Sequence, residues 1–263
     1  MATVYIKPGT GTGTGTASDP YFYSQLTTAE TAAGANGLIL FEDGDYTFTS
    51  TQTWDFGTNN GLTYQSKNPQ GAFLKGSGGL IQLAFNNGSV NNGSFKDFRV
   101  QNLTYTTNWP QLTISGIQQH DTIAGGGTFF FGAANTRLHT FDKCSFSLSR
   151  NTNCSLFSQS GGVTITQSSF QINCSTVGSN GVASTGGQTP TSVSNTIFAS
   201  DNNSAISSSI LSISALTNCV LNNFNFSSGG TDNIFADPQF VDAPNGDLRL
   251  RPTSPCIGAG TAS

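Results

Sequence analysis

Apolar residues fall along this chain in short alternating runs, strand-sized and divided by clusters of Gly, Asn and Ser. Alternation of that kind predicts strands and turns. The runs also repeat. Four eight-residue windows align without gaps: His139–Phe146, Val163–Phe170, Thr191–Phe198 and Ser214–Leu221. Each ends in a large apolar residue and carries a small residue two positions earlier (Cys144, Ser168, Thr196, Cys219), and the offsets are 24, 28 and 23 residues. A looser copy, Gly93–Val100, lies two periods of 23 upstream of the first window. Gly37–Leu40 recurs as Gly61–Tyr64 with an offset of 24.

A period near 23 made of strands, with no helical pattern, predicts a solenoid of stacked coils. Leucine-rich repeats need Leu at fixed places, and a propeller needs about 40 residues per blade. The expected fold is all-β, a single-stranded right-handed parallel β-helix of about eight coils between Gly37 and Gly230. Residues 1–36 are expected to form an N-terminal strand and cap, 37–231 the β-helix, and 232–263 a non-repeating C-terminal cap, all within one structural domain. The strongest helical signal runs from Ser24, read as the cap, through Ala-rich sequence to Gly34 as the stop. It predicts a short helix over the first coil.

Composition narrows the functional classes. Only 9% of residues are charged, against roughly 25% in an ordinary globular chain. Gly, Ser, Thr and Asn make up nearly half the sequence, so hydroxyls and amides must cover the surface. With 10 Lys and Arg against 14 Asp and Glu there is no basic stripe for phosphates, and no nucleic-acid partner is expected. No run approaches the ~18 apolar residues of a membrane span, so no membrane insertion is expected. The N-terminus lacks the basic-then-apolar pattern of a signal peptide. The five cysteines are an odd number and form no CxxC pair, and with two histidines no zinc or other metal site is expected. Cys144 and Cys219 fall three coils apart, about 14 Å at ~4.8 Å per stacked strand, too far for a disulfide. They read as the small inward residues of their coils.

The two ends resemble a known family. Val4–Gly9, the Gly/Thr spacer, Asp19–Phe22 and Leu38–Tyr46 look like the start of right-handed parallel β-helix proteins of the pectate-lyase-like superfamily. The ending is similar to the superfamily's closing pattern: "DP.F" at Asp237–Phe240, "GD.RL" at Gly246–Leu250 and "SP.I..G" from Ser254. The resemblance implies the fold. Its motifs are structural, so activity must be argued from the site.

Enzymes of that superfamily cleave polysaccharides along one face of the rod. A lyase needs carboxylates and a base, and a glycosidase needs two carboxylates a few ångströms apart. Residues 151 to 231 contain one charged side chain, Asp201. The remaining candidates form two clusters. Lys96, Asp97 and Arg99 make the first, with Asp97 and Arg99 expected on one strand face. The second holds His120, Asp121, Arg137, His139, Asp142, Lys143 and Arg150, with His120 or Asp121 expected to approach Asp142 or Lys143 from the neighbouring coil. Against a catalytic role, the polygalacturonase signatures (NTD, a DD pair, GHG, RIK) are absent. The glycine tracts Gly9–Gly15 and Gly125–Gly127 lack the Lys and helix of a phosphate loop and read as turns or flexible approaches. An ice-binding array would need Thr-x-Thr in nearly every coil, and the later windows do not repeat it.

These features lead to the expectation of a non-catalytic virion structural protein without cofactors. Capsid decoration (cement) protein and short tailspike-like phage fibre are the two forms considered. It is expected to be made in the host cytoplasm, placed on the virion surface and trimeric, with capsid or tail proteins and a host-surface glycan as partners. The alternative expectation is a polysaccharide lyase or glycoside hydrolase acting through the Asp97–Arg150 region.

Overall fold

A computed structural model describes residues 2–55, 61–86, 92–107, 111–122, 125–132, 139–158, 162–174, 192–200, 216–223 and 231–260. The chain divides into two compact units, Met1–Gln118 and Gln119–Ser263.

In the first unit, β1 (Thr3–Lys7) and β2 (Tyr21–Phe22) precede helix α1 (Leu26–Ala33). Three-strand coils follow: β3 (Leu38–Phe41), β4 (Gly44–Phe48) and β5 (Gln52–Asp55); then β6 (Thr63–Ser66), β7 (Ala72–Gly76) and β8 (Ile81–Asn86); then β9 (Asn92–Lys96), β10 (Arg99–Gln101) and β11 (Leu103–Thr107). Strand β12 (Gln111–Ser115) opens the next coil. Like strands stack in parallel, in the orders β2-β1-β3-β6-β9-β12, β4-β7-β10 and β5-β8-β11. Alternation makes every second residue point inward, so Val4, Ile39, Tyr64, Phe95 and Ile114 form one buried column across the first stack. Trp54 fills the centre, stacked on Phe41 at 5.1 Å and against Tyr64 at 4.7 Å.

Helix α1 buries Leu26, Ala29, Glu30 and Ala33 against β1, β3 and β5, covering the first coil as expected. Its cap differs from the sequence reading. Gln25 is the N-cap and makes no side-chain cap bond, while Ser24 sits in a 3-10 turn, its hydroxyl accepting the Gly11 N–H at 3.4 Å. Gly34 ends the helix with φ +63°. The Gly9–Gly15 tract lies under aromatic rings: a Cβ at Gly15 would run into Tyr21, and one at Gly13 into the Pro20 carbonyl. Glycine is required there by close approach.

The Gly37/Gly61 repeat pairs one residue away from the expected register. Ile39 faces Tyr64, an offset of 25 rather than 24. A slip of one would turn Tyr64 out of the core, because side chains alternate faces. The step from Gly93 to Leu112 is 19 residues, shorter than the assumed 23.

Strand β13 (Gln118–His120) leads into β14 (Gly125–Gly132), β15 (His139–Asp142) and the long β16 (Ser145–Ser158). Next come β17 (Val163–Thr166), β18 (Ser169–Cys174), β19 (Ser192–Ser194), β20 (Ile197–Ala199), β21 (Leu216–Thr217) and β22 (Val220–Asn222). In this second unit β15-β17-β19-β21 form one parallel stack and β16-β18-β20-β22 another, with β14 also pairing β16. The registers match the windows: His139 faces Val163, Thr164 faces Ser192 and Val193 faces Leu216, offsets of 24, 28 and 23. Gly125–Gly127 lies in β14 at a bulge rather than in a turn. Among the described residues between Gly37 and Gly230, four strands of the β15-type stack here and four (β3, β6, β9, β12) in the first unit, in line with the eight coils expected.

The window pattern has a physical cause. Its fifth position (Lys143, Gln167, Asn195, Asn218) is left-handed, with φ between +47° and +54°, and turns the chain from one stack to the other. Each of these N–H groups donates to the next coil, for example Asn195 to the Thr217 carbonyl at 3.1 Å. The small residue after the turn points inward and bonds the carbonyl two residues back: Cys144 to Asp142, Ser168 to Thr166, Thr196 to Ser194 and Cys219 to Thr217. Cys144 and Cys219 are accordingly buried free thiols. Ser168→Ala removes a hydroxyl that also accepts the buried Cys144 N–H at 3.1 Å. It is expected to cost about 1–3 kcal/mol in denaturant unfolding; a loss within error of zero would contradict this inner ladder.

The C-terminal segment does two things. Thr231 and Ile234 bridge to Thr217 and Val220, extending the stacks. The chain then leaves the repeat as an antiparallel hairpin, β23 (Phe240–Asp242) and β24 (Asp247–Leu250). Phe240, Leu248, Ala243 and Leu250 pack on Ile197 and Ala199 of β20, and Ser147 Oγ of β16 donates to the Ala243 carbonyl at 3.1 Å. The non-repeating segment therefore covers the flank of the second stack as well as following the last coil. Its closing motif holds turns. Asp237 accepts the Gln239 N–H at 2.8 Å, Ser254 Oγ donates to the Pro238 carbonyl at 2.6 Å, and Asp247 grips Arg249.

Candidate functional site

The first cluster does not form as expected. Asp97 has φ +62° in the turn between β9 and β10, so the i, i+2 relation to Arg99 across a single strand is lost. Its Oδ2 accepts the Gln65 amide at 2.8 Å, and Oδ1 lies where a Cβ at Gly116 would fall. Arg99 is exposed, its guanidinium 4.1 Å from the Phe73 ring centroid. Lys75 approaches the same ring at 4.3 Å and pairs with Asp45 at 2.6 Å.

The described side chains of the second cluster lie on β13 and just after it, on β15, and in the turn that follows β15. His120 is half-buried, with Nδ1 3.3 Å from Ser147 Oγ. A Cβ at Gly246 would meet its ring at 2.7 Å, which explains the glycine of the "GD.RL" motif, held at φ +82°. Asp121 is 1% exposed and accepts the Gln119 amide at 2.9 Å. Its backbone N–H donates to the Ser147 carbonyl at 2.9 Å, which places it beside β16. Asp142 instead stands on β15, its Oδ1 accepting the Thr166 hydroxyl at 2.7 Å. Lys143 is an exposed turn residue. His139 opens β15 inside the core, 5% exposed, and burial pushes its pKa down to about 4. It is therefore a neutral core residue at neutral pH. Arg137 lies outside the described residues, and Arg150 is described only as backbone in β16.

Among the described residues, no three His, Cys, Asp or Glu side chains are grouped to hold a metal ion. No described helix is long and apolar enough to cross a membrane.

A concavity that the clusters did not anticipate opens in the second unit, where Gln171 of β18 and Asn222 of β22 face the C-terminal segment. Its volume is about 280 Å³, and Asp237, Asp242 and Arg251 supply its charged groups. These charged residues follow a stretch, 151 to 231, whose one charged side chain is Asp201, and that contrast is legible in the sequence. That these residues would meet Gln171 and Asn222 is not, because nothing local encodes the fold-back of the hairpin.

Parallel strands stacked coil upon coil define the protein as a parallel β-helix, here with a polar cleft beside its C-terminal hairpin. No family model matches the chain, and no curated protein does. Among solved structures it is similar to the crystal structure of pectate lyase Pel9A, at 13% identity over 100% of this chain and 92% of that one, with a TM-score of 0.32. The assignment of the fold rests on the strand registers themselves.

Proposed function

We propose that this chain is a non-catalytic structural protein of a virion, a capsid decoration protein or a short tailspike-like fibre. What supports this reading is how the candidate catalytic side chains are held. Asp97 is bound by Gln65, Asp121 by Gln119 and Asp142 by Thr166, and His139 is sealed in the core. A general acid or base must reach its substrate within hydrogen-bond range, and these groups serve turn and core geometry instead. With 9% of residues charged, the sequence leaves uncharged polar residues to cover the surface, suited to contact with a shell or a glycan. The trimer and the virion location belong to the same proposal.

Immunogold labelling of particles from the source of the chain tests it. Label over the shell is the result expected of a decoration protein, and label confined to the tail that of a fibre. Bare particles in the presence of abundant free protein would overturn the virion reading. Cleavage of a host glycan by the wild type, lost in Asp121→Ala or Asp142→Ala with the fold intact, would replace it with the enzymatic alternative.

A further inference from the structure

We infer that the cleft between β18, β22 and the C-terminal hairpin is a binding site for a neutral saccharide, recognised through a vicinal pair of hydroxyls. Small-molecule sites rely on a few placed polar groups, and the lining of this cleft is mostly polar. Pro244 and Val241 give it a small apolar edge, and Val241 is one of the three large apolar residues that stand exposed among the described residues.

The polar groups retain unused hydrogen-bonding capacity. Asp237 accepts the Gln239 N–H through Oδ1, leaving Oδ2 without a partner. Asp242 accepts the Asn245 side-chain amide through Oδ2, leaving Oδ1 without one. The Asn222 side chain makes no hydrogen bond, while its backbone carbonyl is taken by the Ser200 N–H. Arg251 places Nη2 on the Val241 carbonyl at 3.2 Å, which holds the guanidinium over the hairpin, and it pairs with no carboxylate. A guanidinium has five N–H donors in a rigid fork, so most of them are available to a ligand.

This set suits a sugar diol. Each hydroxyl can donate to a carboxylate oxygen while its own oxygen accepts from Arg251 or Asn222. Bonds to the ionised partners are the stronger ones. Two carboxylates against one guanidinium leave the cleft net negative, which disfavours a uronate and favours an uncharged sugar. The inference is independent of the virion proposal, since a neutral-sugar site can serve a protein at any location.

Saturation-transfer NMR on the full chain tests it, with the methyl α-glycosides of glucose, galactose and mannose as probes and galacturonate as the charged control. At least one glycoside is expected to receive saturation from the protein, and galacturonate is expected to bind more weakly. Arg251→Gln and Asn222→Ala should each weaken that glycoside about tenfold, the loss of one good hydrogen bond. Both substituted residues lie at the surface or half-buried, and a thermal melt confirms folding. Lys143→Gln, at an exposed turn that does not line the cleft, should leave binding unchanged. No transfer to any of the three glycosides overturns the inference, as does binding that survives both cleft variants or a preference for galacturonate.

Discussion

Phe170→Ala is expected to lower stability by about 3–5 kcal/mol, the usual cost of emptying a buried aromatic site. Phe170 has no exposed surface and stands between two rings, Phe146 and Phe198, each 5.1 Å away and nearly parallel to it. Stacks of this kind add to the area buried. The three rings are the last positions of successive windows, so the substitution breaks a column that joins three coils. Because each coil contacts mainly its neighbours, neither flanking ring can move in without disturbing its own strand. Guanidinium unfolding followed by circular dichroism should show a lower midpoint at unchanged slope. A loss below about 1 kcal/mol would falsify the stacked register.

A second large effect is set by pH. The His139 pKa falls from 6.5 in an ordinary environment to about 4 because the imidazole is buried. Above pH 6.5 both folded and unfolded chains hold it neutral, and it adds no pH dependence. Below that point the unfolded chain takes up a proton that the folded chain refuses, so stability falls with pH until the folded imidazole also titrates near 4. The loss amounts to about 3 kcal/mol between pH 7 and pH 4. Carboxylates titrate in the same range, so the informative quantity is the difference between the wild type and His139→Val. Valine is the residue that the next coil places opposite, at Val163. The wild type should weaken by about 3 kcal/mol more than the variant over that interval. Parallel curves for the two proteins would mean that His139 is solvated.

The legibility of the fold follows from the same stacking. In a parallel β-helix, equivalent residues of successive coils lie directly on one another. A small–x–large pattern must then recur wherever the turn recurs, and the windows ending at Phe146, Phe170, Phe198 and Leu221 gave the register to the residue. The first unit is less regular. Its coils carry a third strand and turns of different lengths, with steps of 25 from Ile39 to Tyr64, 31 from Tyr64 to Phe95 and 19 from Phe95 to Ile114. No single period describes them, and the alternation of Tyr64 decided a register that the glycine repeat misplaced by one.

Side-chain partnership was the harder problem. Asp97 and Arg99 are two residues apart, yet the left-handed turn at Asp97 separates them, and sequence spacing does not reveal which residue of a polar run takes that conformation. His120 and Asp121 lie beside β16 because of pairings made across the unit, His120 Nδ1 meeting Ser147 Oγ and the Asp121 N–H donating to the Ser147 carbonyl. By itself the sequence determined an all-β solenoid, the register of the second unit's coils and their inward ladder of small residues, because these are local or strictly periodic. Only the tertiary structure decided where the C-terminal hairpin lies and which groups line the cleft. That outcome depends on apolar contacts of Phe240 and Leu248 with Ala199, formed between distant segments that share no repeat and are brought together only when the coils have stacked.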